Sequence, residues 1–157
     1  MQTTTPGTAA SDDLGLITGT PGTHAPKLSS GDVKNTSTTR KAAFELEVPS
    51  NYDDGQTFQI RMRAAMETTV ASASATLDLE VFKPDGDGLV GSDLCQTAAQ
   101  SINSLTKANF DFTIDATALN PGDKLICIVT IAVVDSATAT AVTPCIYEII
   151  RLADLRG

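Results

Sequence analysis

Glu45 and Glu47, like Asp78 and Glu80, are carboxylates two residues apart, a spacing that puts both members of a pair on one face of a β-strand. Two carboxylates flanking a bond can perform glycoside hydrolysis. Alternate acidic positions are also where a half-exposed strand carries its solvent-facing charge, and that is the expectation for both pairs. Asp85-Gly86-Asp87-Gly88 sets two carboxylates at alternate loop positions, a pattern that suits a hard cation such as calcium. The remaining ligands of a calcium loop are missing, with Asp93, Asp53 and Asp54 the nearest candidates, so an ordinary acidic turn is expected. The three cysteines, Cys95, Cys127 and Cys145, show no C-x-x-C spacing, and with the single His24 they cannot make a four-ligand zinc site. Cys127 and Cys145 both fall in apolar strands; whether they are neighbours is left open, and buried free thiols are the expected state. A cysteine nucleophile would need a histidine partner, and His24 lies in a Thr/Gly-rich stretch. No Gly-rich phosphate loop or nucleophile elbow appears. The residues therefore point to no enzyme, no cofactor and no metal.

The elements that carry these residues have period two. Phe44, Leu46 and Val48 share one face and Glu45 and Glu47 the other, before Pro49 ends the strand. Phe58, Ile60, Met62, Ala64 and Met66 point inward while Gln59, Arg61, Arg63 and Glu67 point out. Leu77, Leu79 and Val81 alternate with Asp78 and Glu80, and Phe110, Phe112 and Ile114 with Asp111, Thr113 and Asp115. Turns are marked at Asn51–Gly55, Lys83–Gly88 and Asn120–Asp123, the last with Pro and Gly at its two middle positions as a type II turn prefers. Leu125–Val134 is apolar on both faces, which predicts a central strand covered on both sides, with Cys145–Leu152 as its partner through the Asp135–Thr143 connection. Leu94, Ala98, Ile102 and Leu105 fall at helical spacing, predicting one short helix within Ser92–Leu105. Arg61 and Arg63 are expected to pair across strands with the acids of Asp78/Glu80 or Glu45/Glu47. The pattern predicts an all-β fold: an antiparallel β-sandwich, jelly-roll-like, with at most one short helix.

Composition agrees. The chain holds 22 Thr and 20 Ala, and its 10 Ile and 9 Val outnumber its 13 Leu, an excess of β-branched residues that favours strands. A net charge of −8 argues against nucleic acid, whose phosphates require clustered Lys and Arg. No apolar run approaches the roughly 20 residues of a membrane span, and no charged segment followed by an apolar one opens the chain, so neither membrane insertion nor a signal peptide is expected. Residues 1–40 are rich in Thr, Ser, Gly and Pro, net zero in charge, and carry one apolar cluster, Leu14, Leu16 and Ile17. They read as an extended N-terminal arm anchored by that cluster, with residues 41–157 as the β-sandwich domain.

The stretches Ala75–Lys83, Asp93–Leu105 and Leu119–Asp123, together with the arm, resemble small virion structural proteins of tailed bacteriophages, nearest to capsid decoration (cement) proteins. That resemblance implies a non-enzymatic protein made in the host cytoplasm and placed on the virion, where it binds the outer capsid surface and stabilises the shell. The major capsid protein would be its partner, and it would self-associate as a trimer or dimer. Leu14, Leu16 and Ile17 would then be arm contacts, and Arg61 and Arg63 surface contacts. The runner-up is another particle component, such as a tail tube, head-completion or fibre-base protein. A carbohydrate-binding β-sandwich ranks third. Sugar sites need exposed aromatics, and the chain has only Tyr52, Tyr147 and five Phe, of which Phe44, Phe58 and Phe110 are expected to face inward.

Overall fold

The structure, a computed structural model, describes residues 13–20, 22–23, 25–87, 91–136 and 140–156, and the backbone of 3–4. Among the described residues ten strands form two five-stranded sheets: β1 (Thr3–Thr4), β2 (Gly15–Ile17), β3 (Lys27–Ser29), β4 (Thr36–Glu47), β5 (Phe58–Thr68), β6 (Ser74–Phe82), β7 (Gln100–Ser101), β8 (Ala108–Thr113), β9 (Lys124–Asp135) and β10 (Thr143–Ala153). Sheet A has the order β1-β4-β9-β6-β7 and sheet B the order β2-β3-β10-β5-β8, and the strand pairs within them are antiparallel. From β3 onward the chain changes sheet at almost every connection, in the manner of a jelly roll. This is the antiparallel β-sandwich that the alternation predicts.

The core is the set of inward positions. Ala42 and Phe44 on β4, Leu77, Leu79 and Val81 on β6 and Leu125, Cys127, Val129 and Ile131 on β9 meet Phe58, Ile60 and Met62 on β5 and Phe112 on β8, all of them buried. Each buried Leu, Ile or Phe side chain contributes roughly 1.5–3 kcal/mol of transfer free energy. Tyr52, read from sequence as part of a turn, is fully buried: its ring stands edge-on to Phe58 at 5.7 Å between centroids, and its hydroxyl donates to the Gln56 carbonyl oxygen.

Four expectations are corrected. β9 is central, between β4 and β6, but only its inward face is covered; Ile126 and Ile128 on the outer face are half-buried and Val134 is exposed. Cys145–Leu152 does not pair with β9, because β10 belongs to the other sheet and lies between β3 and β5. A chain that alternates between sheets makes sequence neighbours face each other across the core instead of sharing a ladder. The helix expected within Ser92–Leu105 is absent: Cys95 bridges Ile114, Gln100–Ser101 form β7, and the described residues contain only a 3-10 turn at Ala116–Ala118. The helical spacing there arises because Leu94 and Ile102 are pinned separately, their amides donating to Val81 and Ala75 carbonyls of sheet A. Lastly, residue 40 lies inside β4, and β2 and β3 are strands of sheet B, so residues 13–40 are woven into the sandwich.

The Asn120–Asp123 turn forms as read, with Gly122 at φ +83° and the Asp123 amide donating to the Asn120 carbonyl at 3.1 Å. Only glycine adopts that φ without steric cost. Gly122→Ala is expected to lower stability by about 1 kcal/mol, read as a fall in the urea midpoint with unchanged slope; an unchanged midpoint would contradict this turn geometry.

Candidate functional site

The outer face of sheet B collects polar side chains in register across three strands. In one row Thr113 of β8 lies opposite Gln59 of β5, which lies opposite Leu152 of β10. In the next, about 7 Å along the strands, stand Asp111, Arg61 and Ile150, and in the third Asn109, Arg63 and Glu148. A β-bulge in β10 between Ile146 and Glu148 then sets Tyr147 apart from the regular ladder. Beyond it Ala65 lies opposite Cys145, which in turn faces Ser29 of β3. Period two on β5 and β8 is what brings these groups together: between Gln59 and Arg63 and between Asn109 and Thr113 apolar residues turn to the core and the intervening ones to this surface, while β10 adds Glu148 beside the apolar Ile150 and Leu152.

Contacts within the face are specific. The Gln59 amide donates to Thr113 Oγ1 at 3.1 Å. Arg61 donates through Nε and an Nη to the two Asp111 oxygens at 2.7 and 2.8 Å, a bidentate pair. Lys107 reaches over β5, where Ala65 is small, and places its ammonium 4.0 Å from the centroid of the Tyr147 ring. Lys27 and Glu67 form an ion pair nearby. Cys145 is buried although it is not part of the core cluster, and that burial pushes its thiol up. Tyr147 is half-buried; its phenol is pushed up to about 12, first by burial and then by Cys145 and Glu67 beside it. It therefore stays a neutral hydroxyl throughout the physiological range.

Asp111 is held below the ordinary carboxylate range, chiefly by the hydrogen bonds from Arg61. A depressed folded-state pKa contributes stability that is present above the unfolded value, near 3.8, and lost as pH falls through the lower folded value. Asp111→Asn is therefore expected to make the melting temperature less pH-dependent below about pH 4 and to leave the profile above pH 5 parallel to the parent's. Both partners are more than a third exposed, so solvent screening keeps the effect small. Identical acid profiles would show that the pair is not formed in solution.

The residues singled out from sequence divide. Leu14 is fully buried, with its amide donating to the Lys41 carbonyl at 2.9 Å, so it packs inside its own sandwich and is not free to anchor another chain. Leu16 and Ile17 on β2 remain 56% and 44% exposed, and Leu16 lines a cavity of about 170 Å³ with Pro26, Leu28, Tyr147 and Ile149. Arg61 and Arg63 both lie on the outer face of sheet B. The acids expected to pair with them, Glu45, Glu47, Asp78 and Glu80, are on the opposite side of the molecule, on sheet A, where Glu80 meets Lys41 at 3.4 Å. Asp53 and Asp54 pair with Arg156, and Asp93 accepts from the Val81 and Cys95 amides, so neither supplements Asp85 and Asp87. Among the described residues no three acidic, His or Cys side chains gather as metal ligands. His24 lies outside the described residues. Cys127 and Cys145 sit in different sheets, and neither forms a disulfide. Sequence reasoning missed Tyr147, Asn109, Lys107 and Glu148 as site residues: the β10 bulge between Ile146 and Glu148 breaks period two there, and the sheet neighbours are not written in the spacing.

No protein-family model matches the chain, and no curated protein matches it. Solved structures do. A non-crystalline cellulose specific carbohydrate-binding module (CBM28) aligns with a TM-score of 0.57 and 15% identity, covering 93% of this chain and 86% of the other. The CBM22-1 xylan-binding domain of Xyn10C from Paenibacillus barcinonensis aligns with a TM-score of 0.52 and 14% identity, covering 99% and 87%. A third, from a study of promiscuous specificity in carbohydrate-binding modules of the β-sandwich superfamily, gives 0.51 and 15%, covering 96% of this chain and 56% of that one. At these identities the likeness establishes a shared β-sandwich fold. It also overturns the expected role as a capsid decoration protein: the sandwich resembles carbohydrate-binding modules.

Proposed function

We propose that this protein is a non-catalytic carbohydrate-binding module that receives a glycan on the outer face of sheet B. The observation that carries the reading is the composition of that face, which combines the Tyr147 ring with Gln59, Thr113, Arg63 and Asn109 on rigid, paired strands. Sugars present hydroxyls that both donate and accept, together with apolar C–H faces. Amide, hydroxyl and guanidinium groups answer the first, and an aromatic ring answers the second. The fold shared along almost the whole chain with carbohydrate-binding modules supports the same reading.

The face runs along three paired strands, which suits a polymer lying along it. Water bridges fill imperfect contacts at little cost. Preformed ladders mean that little order is created on binding, so ordering entropy is a minor loss. Lys107 covers the Tyr147 ring by a cation–π contact worth about 0.5–1 kcal/mol at an exposed site, and its flexible stem lets a sugar displace it.

Affinity electrophoresis of the full chain in gels containing soluble xylan, β-glucan, galactomannan or polygalacturonate tests this reading. Retardation by at least one polymer, abolished by Tyr147→Ala in a folded variant, is the expected result. Mobility unchanged in every gel would refute it.

A further inference from the structure

The two outer faces of the sandwich differ in the sign of their charge. On sheet A the outward positions carry Lys41 and Lys124 against Glu45, Glu47, Asp78 and Glu80. On sheet B they carry Lys27, Arg61, Arg63 and Lys107 against Glu67, Asp111 and Glu148. In a chain of net charge −8, the outer face of sheet B is thus one where cations exceed anions. Its pairing sharpens the contrast. Glu67 is committed to Lys27 and Asp111 to Arg61, whereas Arg63 and Lys107 form no ion pair among the described residues. Arg63 is exposed and stands opposite Asn109, and Lys107 precedes Asn109 by two residues on the same side.

We propose that the glycan taken by this face is an acidic one, with a uronate carboxylate received by the Arg63 guanidinium, the Asn109 amide donating beside it and the Lys107 ammonium as the second cation. This rests on the carbohydrate-binding reading above. A guanidinium offers a planar fork that matches a carboxylate, and such charge-assisted hydrogen bonds are roughly twice as strong as neutral ones. Glu148 lies opposite Arg63 in register and is the carboxylate that opposes the ligand. Lys27 and Glu67 cancel beyond Tyr147, and Arg61 and Asp111 cancel on the other flank, which confines the positive potential to Arg63 and Lys107.

The test is calorimetric titration of the full chain with polygalacturonate and with the same polymer after reduction of its carboxyl groups, which keeps the sugar backbone and removes the charge. The expected result is binding to polygalacturonate that is roughly tenfold tighter than to the reduced polymer and that weakens when salt is raised to about 0.5 M. Arg63→Gln should remove that preference, and Glu148→Gln should enhance binding to the acidic polymer several-fold. Equal or tighter binding to the reduced polymer would overturn the acidic specificity while upholding a carbohydrate-binding module. Acidic preference untouched by both substitutions would overturn the placement at Arg63. Binding to neither polymer, nor to any neutral glycan of the gel panel, would overturn the carbohydrate reading itself.

Discussion

Tyr147→Ala is expected to weaken glycan binding by roughly tenfold to thirtyfold, the loss seen when a central aromatic is truncated from a binding surface. The β10 bulge between Ile146 and Glu148 sets this residue apart from the regular ladder, and it is half-buried beneath Lys107. Its ring supplies apolar area at a low entropic cost, because only two side-chain torsions are frozen. Tyr147→Phe separates ring from hydroxyl: it should retain most of the affinity, since the phenol is a neutral group with a pKa near 12 and contributes no charge. Titration of both variants against a polymer bound by the parent provides the check. Equal affinity of Tyr147→Ala and parent would remove Tyr147 from the site.

Phe58→Ala is expected to destabilise the fold by about 3–5 kcal/mol, the largest effect of any single substitution discussed for this chain. Phe58 is fully buried, stands edge-on to Tyr52 and pairs through its backbone with Ala153 and Ile114. Truncation leaves a cavity between β5 and the Asn51–Gly55 turn that rigid strands cannot collapse into. A loss of that size lowers the melting temperature of a domain this large by roughly 10 °C. Tyr52→Phe keeps the ring contact and deletes only the hydroxyl that donates to Gln56, so about 1 kcal/mol is expected. A fall in melting temperature of only a degree or two for Phe58→Ala would mean that the two rings do not pack as a unit.

Much of the sandwich was legible in the residues because its causes are local. Alternation in Phe44–Val48, Phe58–Met66 and Leu77–Val81 sorts side chains to two faces whatever the partner strand is. The Pro121-Gly122 pair specifies a turn through backbone sterics alone. The candidate site was half legible. Gln59, Arg61 and Arg63 are outward by the same alternation, but what they meet is a matter of register. Arg61 finds Asp111, fifty residues away, because β5 runs beside β8, and nothing in the spacing of either strand says so. Glu80 finds Lys41 across β9 for the same reason.

By itself, then, the sequence determined that this chain is all-β, which positions of its alternating strands face inward, and where several of its turns fall. These follow from period, propensity and glycine or proline geometry, which act over a few residues. Only the tertiary structure decided that β10 pairs with β3 and β5 and not with β9, that Leu14 is core and not an anchor, and that Leu94–Leu105 is loop and edge rather than helix. It alone assembled Tyr147, Lys107, Arg63, Asn109 and Glu148 on one face. Strand order is settled by the burial of two whole sheets against each other, a free energy summed over the entire core, and no short stretch of residues carries that sum.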